Sequence, residues 1–264
     1  MISKNQMKYV RSLETKKGRA KEGAFVAEGP KVVGDLFAVM QPLMVVATEE
    51  WFAVSGRTVG DRDAVVTADE LRRVSFLQHP QQVLAVFPTG SGVCGSMASG
   101  AIGSGVEALD EAGLYLALDG VQDPGNLGTI IRIADWFGIS RIFCSRDTAD
   151  VYNPKVVQAT MGSIARVRVE YVGLEELFAS LPEGFPIYGT FLDGTDIYRE
   201  KLTAHGVIVM GNEGKGVSPR VGSLVNRRLL IPNFPEGRET ADSLNVAIAT
   251  AICCSEFRRT LNKN

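Results

Sequence analysis

Histidine and cysteine are scarce in this chain, and neither is arranged for metal or redox work. The two histidines, His79 and His205, stand far apart, and the four cysteines, Cys94, Cys144, Cys253 and Cys254, show no CxxC spacing. A zinc site needs ligands paired at short spacing and a disulfide framework needs denser cysteine, so no metal and no framework are expected. Cys253 and Cys254, adjacent in an apolar segment, read as small packing residues. Long hydrophobic runs are also missing: no stretch approaches about 18 apolar residues, and Met1-Ile2-Ser3-Lys4-Asn5-Gln6 lacks the apolar run of a secretory leader. A cytoplasmic protein with no membrane partner is expected. Charge of one sign is absent overall, with 28 basic against 30 acidic residues and a net charge of -2, so any pull on nucleic acid must be local.

What is present is 45% hydrophobic residues in 264, enough for a substantial core. The most basic window is the first 22 residues, where Lys4, Lys8, Arg11, Lys16, Lys17, Arg19 and Lys21 face only Glu14 and Glu22. It reads as a short helix followed by an exposed loop. Phosphate is the natural partner of such a patch, because binding releases counterions condensed on a nucleic acid. A merely solvated charged face is the plainer alternative.

Phe25-Val26-Ala27-Glu28-Gly29 runs as a strand into a helix opened by Pro30, with apolar positions Val32, Val33, Leu36, Phe37 and Met40 on one face. Strands at 44–47, 64–66 and 83–87 alternate with helices at 49–55 and 68–74, which makes residues 1–87 a small α/β domain. Residues 88–113, with seven glycines and few large apolar side chains, read as a Gly/Ser/Ala-rich linker. Gly90, Gly92 and Gly95 match GxGxxG there, but no apolar-periodic helix follows, so a dinucleotide site is not expected. From Leu114 the alternation resumes. Strands are expected at 114–119, 141–144, 165–171, 187–191, 206–210 and 228–231, and helices at 127–137, 153–161, 174–181, 218–225 and 243–260. Runs such as Gly206-Val207-Ile208-Val209-Met210, apolar on both faces, belong inside a mostly parallel sheet covered by helices, so 114–264 is a second α/β domain.

Three loops of this second part carry chemistry. The first, Asp119-Gly120-Val121-Gln122-Asp123-Pro124-Gly125-Asn126, opens a helix that bears Arg132 six residues later, too far along to share a face with Asn126. Alone, Asn126 could be a helix cap and Arg132 a solvated charge. The second is Gly211-Asn212-Glu213-Gly214-Lys215-Gly216-Val217-Ser218, whose glycines permit close backbone approach to a ligand. It fails the GxxxxGK[ST] spacing of a P-loop, and Glu213 would repel phosphate and suit a cation. The third is Ile231-Pro232 followed by Asp242-Ser243-Leu244-Asn245-Val246-Ala247, where Ser243 or Asp242 could cap a helix rich in small residues.

Taken together, the three segments resemble the three motifs of the SpoU/TrmH family of RNA ribose 2'-O-methyltransferases, in the SPOUT class. The resemblance covers nearly the whole chain, and Phe25-Val26-Ala27-Glu28-Gly29 resembles the start of the family's L30e-like substrate-binding domain. It implies a C-terminal SPOUT domain with a trefoil knot, S-adenosylmethionine as cofactor, and a homodimer. It also implies catalytic roles for Asn126, Arg132, Glu213, Ser243 and Asn245, with Glu213 orienting Arg132. Gly211, Asn212, Gly214, Gly216, Ile231, Pro232, Leu244 and Asn245 would hold the cofactor. Lys16, Lys17, Arg19, Lys21 and Arg132 would meet RNA, with ribosomal RNA favoured over transfer RNA. The rival readings are an inactive RNA-binding or ribosome-assembly protein of the same fold, and a methyltransferase that acts on bases.

Overall fold

The structure is a computed structural model that describes residues 2–90, 109–235, 238–239 and 241–261. Cys94, most of the expected linker and most of the GxGxxG match lie outside the described residues.

Two sheets organise the chain. The first is formed by β1 (Ala24–Glu28), β2 (Met44–Ala47), β3 (Ala64–Val65) and β4 (Val83–Pro88), in the order β1-β4-β2-β3. β4 runs antiparallel to both β1 and β2, while β2 and β3 are parallel. Around it lie α1 (Lys4–Ser12), α2 (Lys16–Glu22), α3 (Pro30–Phe37), α4 (Glu49–Ser55) and α5 (Ala68–Val74). The basic N-terminus therefore holds two helices rather than a helix and a loop. Ser3 and Gln6 form a capping box on α1, Thr15 caps α2 by accepting from Gly18 N–H, and Gly23 ends α2 in the left-handed region at φ 59°.

The second sheet comprises β5 (Leu114–Asp119), β6 (Arg141–Cys144), β7 (Arg168–Tyr171), β8 (Ile187–Asp196), β9 (Gly206–Gly211) and β10 (Arg227–Leu230). Its order is β10-β8-β9-β5-β6-β7 and every pair is parallel. All six residues of β5 and of β9 are buried, as strands covered on both faces must be. The helices are α6 (Pro124–Trp136), α7 (Pro154–Ala159), α8 (Leu174–Ala179), α9 (Pro219–Gly222) and α10 (Val246–Leu261). From β5 the order steps one way to β6 and β7, while the later strands β9, β8 and β10 lie on its other side. The gap between β5 and β9 is thus the topological switch point, where loops beyond the carboxyl ends of the strands diverge and leave a crevice.

Several boundaries differ from expectation: α6 starts at Pro124 rather than 127, and α9 spans only Pro219–Gly222 rather than 218–225. β7 begins at Arg168 rather than 165, because Ser163–Ala165 form a 3-10 turn. β8 extends to Asp196, and α10 starts at Val246 rather than 243. Cys253 and Cys254 are buried, as expected of packing residues, and Cys144 is buried on β6.

The two sheets share one apolar core. Phe25, Ala27 and Phe87 of the first cluster with Leu116, Tyr152 and Val156 of the second, and the rings of Phe25 and Tyr152 are 4.7 Å apart. Charged contacts pin the same boundary. Arg166 reaches Asp35 at 3.1 Å and Asp135 at 2.8 Å, joining α3 to α6. Arg19 is turned inward, against the expectation that it meets RNA. Its Nη2 lies 2.6 Å from Asp150, the two side chains being 4% and 8% exposed, and its Nη1 donates to the carbonyls of Leu13 and Glu14. A buried guanidinium must have its donors occupied, and Asp150 with these carbonyls occupies them; leaving one member of such a pair alone costs about 3–5 kcal/mol. Lys16, Lys17 and Lys21 remain exposed.

Candidate functional site

The loops after β5 and β9 meet at the switch point. Asp119, closing β5, accepts from Ser218 N–H at 2.6 Å, which ties the two loop ends together. Gly120 turns the chain at φ 74°; its N–H donates to Ser145 Oγ at 2.8 Å and its carbonyl accepts from Asn212 Nδ2 at 2.6 Å. After Gly211 the chain doubles back: Asn212 and Gly216 exchange both backbone hydrogen bonds at 2.9 Å. Asn212 Oδ1 accepts from the N–H groups of Gly214 and Lys215, both at 3.0 Å. A Cβ on Gly211 would come within 2.2 Å of the Gly216 carbonyl carbon, so only glycine allows the fold-back.

Glu213 points from this turn into the first loop. It accepts from the N–H groups of Gln122 and Asp123, both at 3.2 Å, and from Asn126 Nδ2 at 3.0 Å. Asn126 Oδ1 in turn accepts from Asn245 Nδ2 at 2.9 Å. Asn245 Oδ1 accepts from Ala247 N–H at 2.9 Å and Ile248 N–H at 3.3 Å, which caps α10. One relay therefore runs from Glu213 through Asn126 and Asn245 to a helix N-terminus and joins all three loops. A carboxylate at one end and backbone donors at the other leave each amide a single consistent orientation. Burial pushes the Glu213 carboxyl up, but donation from Asn126 and from the backbone N–H groups outweighs it, so its pKa lies below the ordinary carboxylate value.

Two capping expectations change. Asp123 caps α6, its Oδ1 accepting from Asn126 N–H at 2.8 Å, so the Asn126 side chain is free for the relay. Asn245, rather than Ser243 or Asp242, caps α10, because residues 242–245 are not helical and α10 begins only at Val246. Ser243 and Leu244 are exposed just before Asn245, and Ile231 and Pro232 are half-buried after β10.

Arg132 stands apart. It is exposed on α6, one helical turn before the 85% exposed Trp136, and its side chain makes no hydrogen bond or ion pair with any described residue. Glu213 contacts the 122–126 loop and not Arg132, so the orienting bond expected between them is not formed here. Sequence reasoning missed Asp123, Asp119 and Ser145 as the groups that shape the loop. Asp123 had a readable signal, an acid directly before a proline at the first helical position. Among the described residues, no three His, Cys, Asp or Glu side chains gather where they could hold a metal ion, and no helix is long and apolar enough to cross a membrane. A cavity of about 410 Å³ lined by Pro30, Thr48 and Gln82 lies against the first sheet and includes none of these loop residues.

The SpoU rRNA Methylase family model matches residues 113–255, and the MRM3-like substrate binding domain model matches residues 4–85. The chain is 31% identical over 262 residues to RlmP of Bacillus subtilis, a 23S rRNA (guanosine(2553)-2'-O)-methyltransferase, and covers 97% of each. Among solved structures it resembles a TrmH-family protein of Porphyromonas gingivalis, at 41% identity and TM-score 0.81, over 98% of this chain and 99% of that one. It also resembles the AdoMet-bound rRNA methyltransferase of Sinorhizobium meliloti, at 28% identity and TM-score 0.79, over 99% of this chain and 97% of that one. A six-stranded parallel sheet with three loops joined at its switch point, matched along nearly its whole length in sequence and in fold, places the chain in the SpoU rRNA methylase family.

Proposed function

We propose that this protein transfers a methyl group from S-adenosylmethionine to a ribose 2'-hydroxyl of ribosomal RNA. The relay from Glu213 through Asn126 to Asn245 carries this reading, because it draws the three motif loops into one site at the switch point. The loops fit the cofactor. Gly214 and Gly216, exposed on the Asn212–Gly216 turn, carry no side chain to keep a ligand from the main chain, and Leu244, 52% exposed beside Asn245, offers an apolar flank. With Gly211, Ile231 and Pro232, these residues would hold it, in the knotted C-terminal arrangement that the family implies.

The cofactor supplies an electrophilic methyl group on a sulfonium. The chain's own residues must orient and activate the hydroxyl. Asn126 and Asn245, locked by the relay, are the rigid groups that position the ribose, with Ser243 at the rim. Arg132 acts as a clamp on the ribose and its adjacent phosphate, stabilising negative charge as it develops on the 2'-oxygen. The clamp is favoured over a role as general base, because the guanidinium fork is built to donate to ribose and phosphate oxygens. Glu213 serves by holding the first loop in shape. The test is nuclease digestion of ribosomal RNA incubated with the protein and S-adenosylmethionine, followed by mass spectrometry. A 2'-O-methylated nucleoside is expected; a base-methylated product, or none, would overturn the reading.

Residues 1–87 would serve as the RNA-substrate domain and 114–264 as the methyltransferase domain, joined by 88–113 and working in the cytoplasm. The active form would be a homodimer. Trp136, Leu244 and Ile248, 85%, 52% and 54% exposed on and beside the packed helices α6 and α10, are apolar surface that a second copy would cover. Sedimentation equilibrium should give twice the chain mass, and a monomer mass at micromolar concentration would exclude this assembly.

A further inference from the structure

Arg146 and Lys155 lie on the segment that leaves β6 and enters α7. Both side chains are exposed and neither pairs with any described residue. Between them in sequence is Asp150, the buried partner of Arg19. Since Lys16 stands one helical turn before Arg19 on α2, that ion pair brings the exposed Lys16 and Lys17 of the first half to the segment that carries Arg146 and Lys155. No more than about 18 Å of extended chain separates Asp150 from either cation, a span within reach of a few nucleotides.

The same segment bears directly on the candidate site. Ala149 N–H donates to Val121 O at 2.9 Å, and Ser145 Oγ accepts from Gly120 N–H at 2.8 Å, so it buttresses the loop that presents Asn126. The acids nearby are largely engaged. Asp150 is neutralised by Arg19, Asp147 accepts from Ser145 Oγ at 2.6 Å, and Glu22 is paired with Lys21 at 3.2 Å. What faces solvent along this line is mainly cationic, although Asp147, bonded only to a neutral hydroxyl, and Glu14 on the N-terminal side are exposed acids.

We propose that Lys16 and Lys17 from one half, with Arg146 and Lys155 from the other, form a single track for the phosphate backbone of the RNA substrate. The Arg19–Asp150 pair is the pin that fixes this track relative to the methyl-transfer site. The inference rests on the reading of the protein as an RNA methyltransferase and adds to it two RNA-contacting residues and a pair of positioning residues. It explains why the most basic window of the chain spends one of its cations internally: Arg19 docks the lysines where they are used.

The test is filter binding of an unmodified 23S rRNA transcript to the full-length protein between about 50 and 200 mM salt, with S-adenosylmethionine affinity measured in parallel. Arg146→Gln with Lys155→Gln should weaken RNA binding about tenfold or more at the lower salt, and should flatten the salt dependence of log K by about 1 to 2. Cofactor affinity should not change. Lys201→Gln, beside the Glu200–Arg227 pair at the opposite edge of the sheet, should leave both unchanged. In Asp150→Asn, the KM for RNA should rise while kcat at saturating RNA and cofactor affinity hold. Unchanged RNA affinity in the double variant, an equal loss in Lys201→Gln, or a joint loss of cofactor affinity would overturn the track. An equal fall in kcat and cofactor affinity in Asp150→Asn would make the pin merely structural. If the wild-type protein itself shows no salt-dependent RNA binding, the functional reading fails instead.

Discussion

Arg132→Ala is expected to lower methyl transfer by about 10²- to 10³-fold, the range seen when a donor to developing negative charge is removed. Affinity for S-adenosylmethionine should be unaffected, because Arg132 is exposed on α6 and makes no hydrogen bond or ion pair with the Asn212–Gly216 turn or any other described residue. The fold should hold for the same reason, since an exposed, unpaired arginine contributes little to stability. Arg132→Lys sharpens the test. It keeps the charge but loses the planar fork that can bind ribose and phosphate oxygens together, so it should recover only part of the rate. Single-turnover transfer of a labelled methyl group to RNA reads both variants. Wild-type turnover in the alanine variant would remove Arg132 from the site.

Asn126→Asp should be more damaging than Asn126→Ala. The substitution turns the Nδ2 donor that now sits 3.0 Å from Glu213 into a second carboxylate oxygen, and two like charges at that distance cannot both stay ionised. Alanine only removes the bridge. Near neutral pH the aspartate variant should therefore lose both transfer and cofactor binding, and cofactor binding should partly return as the pH is lowered and one carboxyl of the pair takes up a proton. The wild-type relay behaves differently. Because the Glu213 pKa is depressed in the folded protein, the stabilisation it provides is complete above the ordinary carboxylate value of 4.5 and is lost only as the pH falls through the lower folded value. Cofactor binding measured from pH 7 down to about 5 should thus be flat in the wild type and rising in the variant; parallel profiles would show that Glu213 and Asn126 are not coupled.

Much of this arrangement could be read from residues alone, and the limits have physical causes. The parallel sheet was legible because β5 and β9 are apolar at nearly every position, a pattern only doubly covered strands adopt. The site loops were legible because glycines, an acid and asparagines recur beyond strand ends. Which polar group meets which was not. Asn126 and Asn245 are 119 residues apart, and nothing local in either distinguishes a relay amide from a helix cap. Arg19 looked like its lysine neighbours, yet its planar fork suits a buried carboxylate, and Asp150 lies 131 residues away. The extension of β8 to Asp196 escaped for another reason. Its register against β10 jumps between Arg228 and Leu229, and the close approach depends on Gly194, where a Cβ would fall 2.4 Å from the Leu229 carbonyl carbon.

The bond between Asn245 and Asn126 also sets a schedule for the ribosome that makes this protein. Asn126 is translated 119 residues before Asn245, so its amide oxygen lacks this partner until that later segment has been made. A nascent or truncated chain ending before residue 245 would carry the first two loops and lack the third. Translation would thus deliver the joined loops only once residue 245 has been made, and a fragment released before that point would lack the relay.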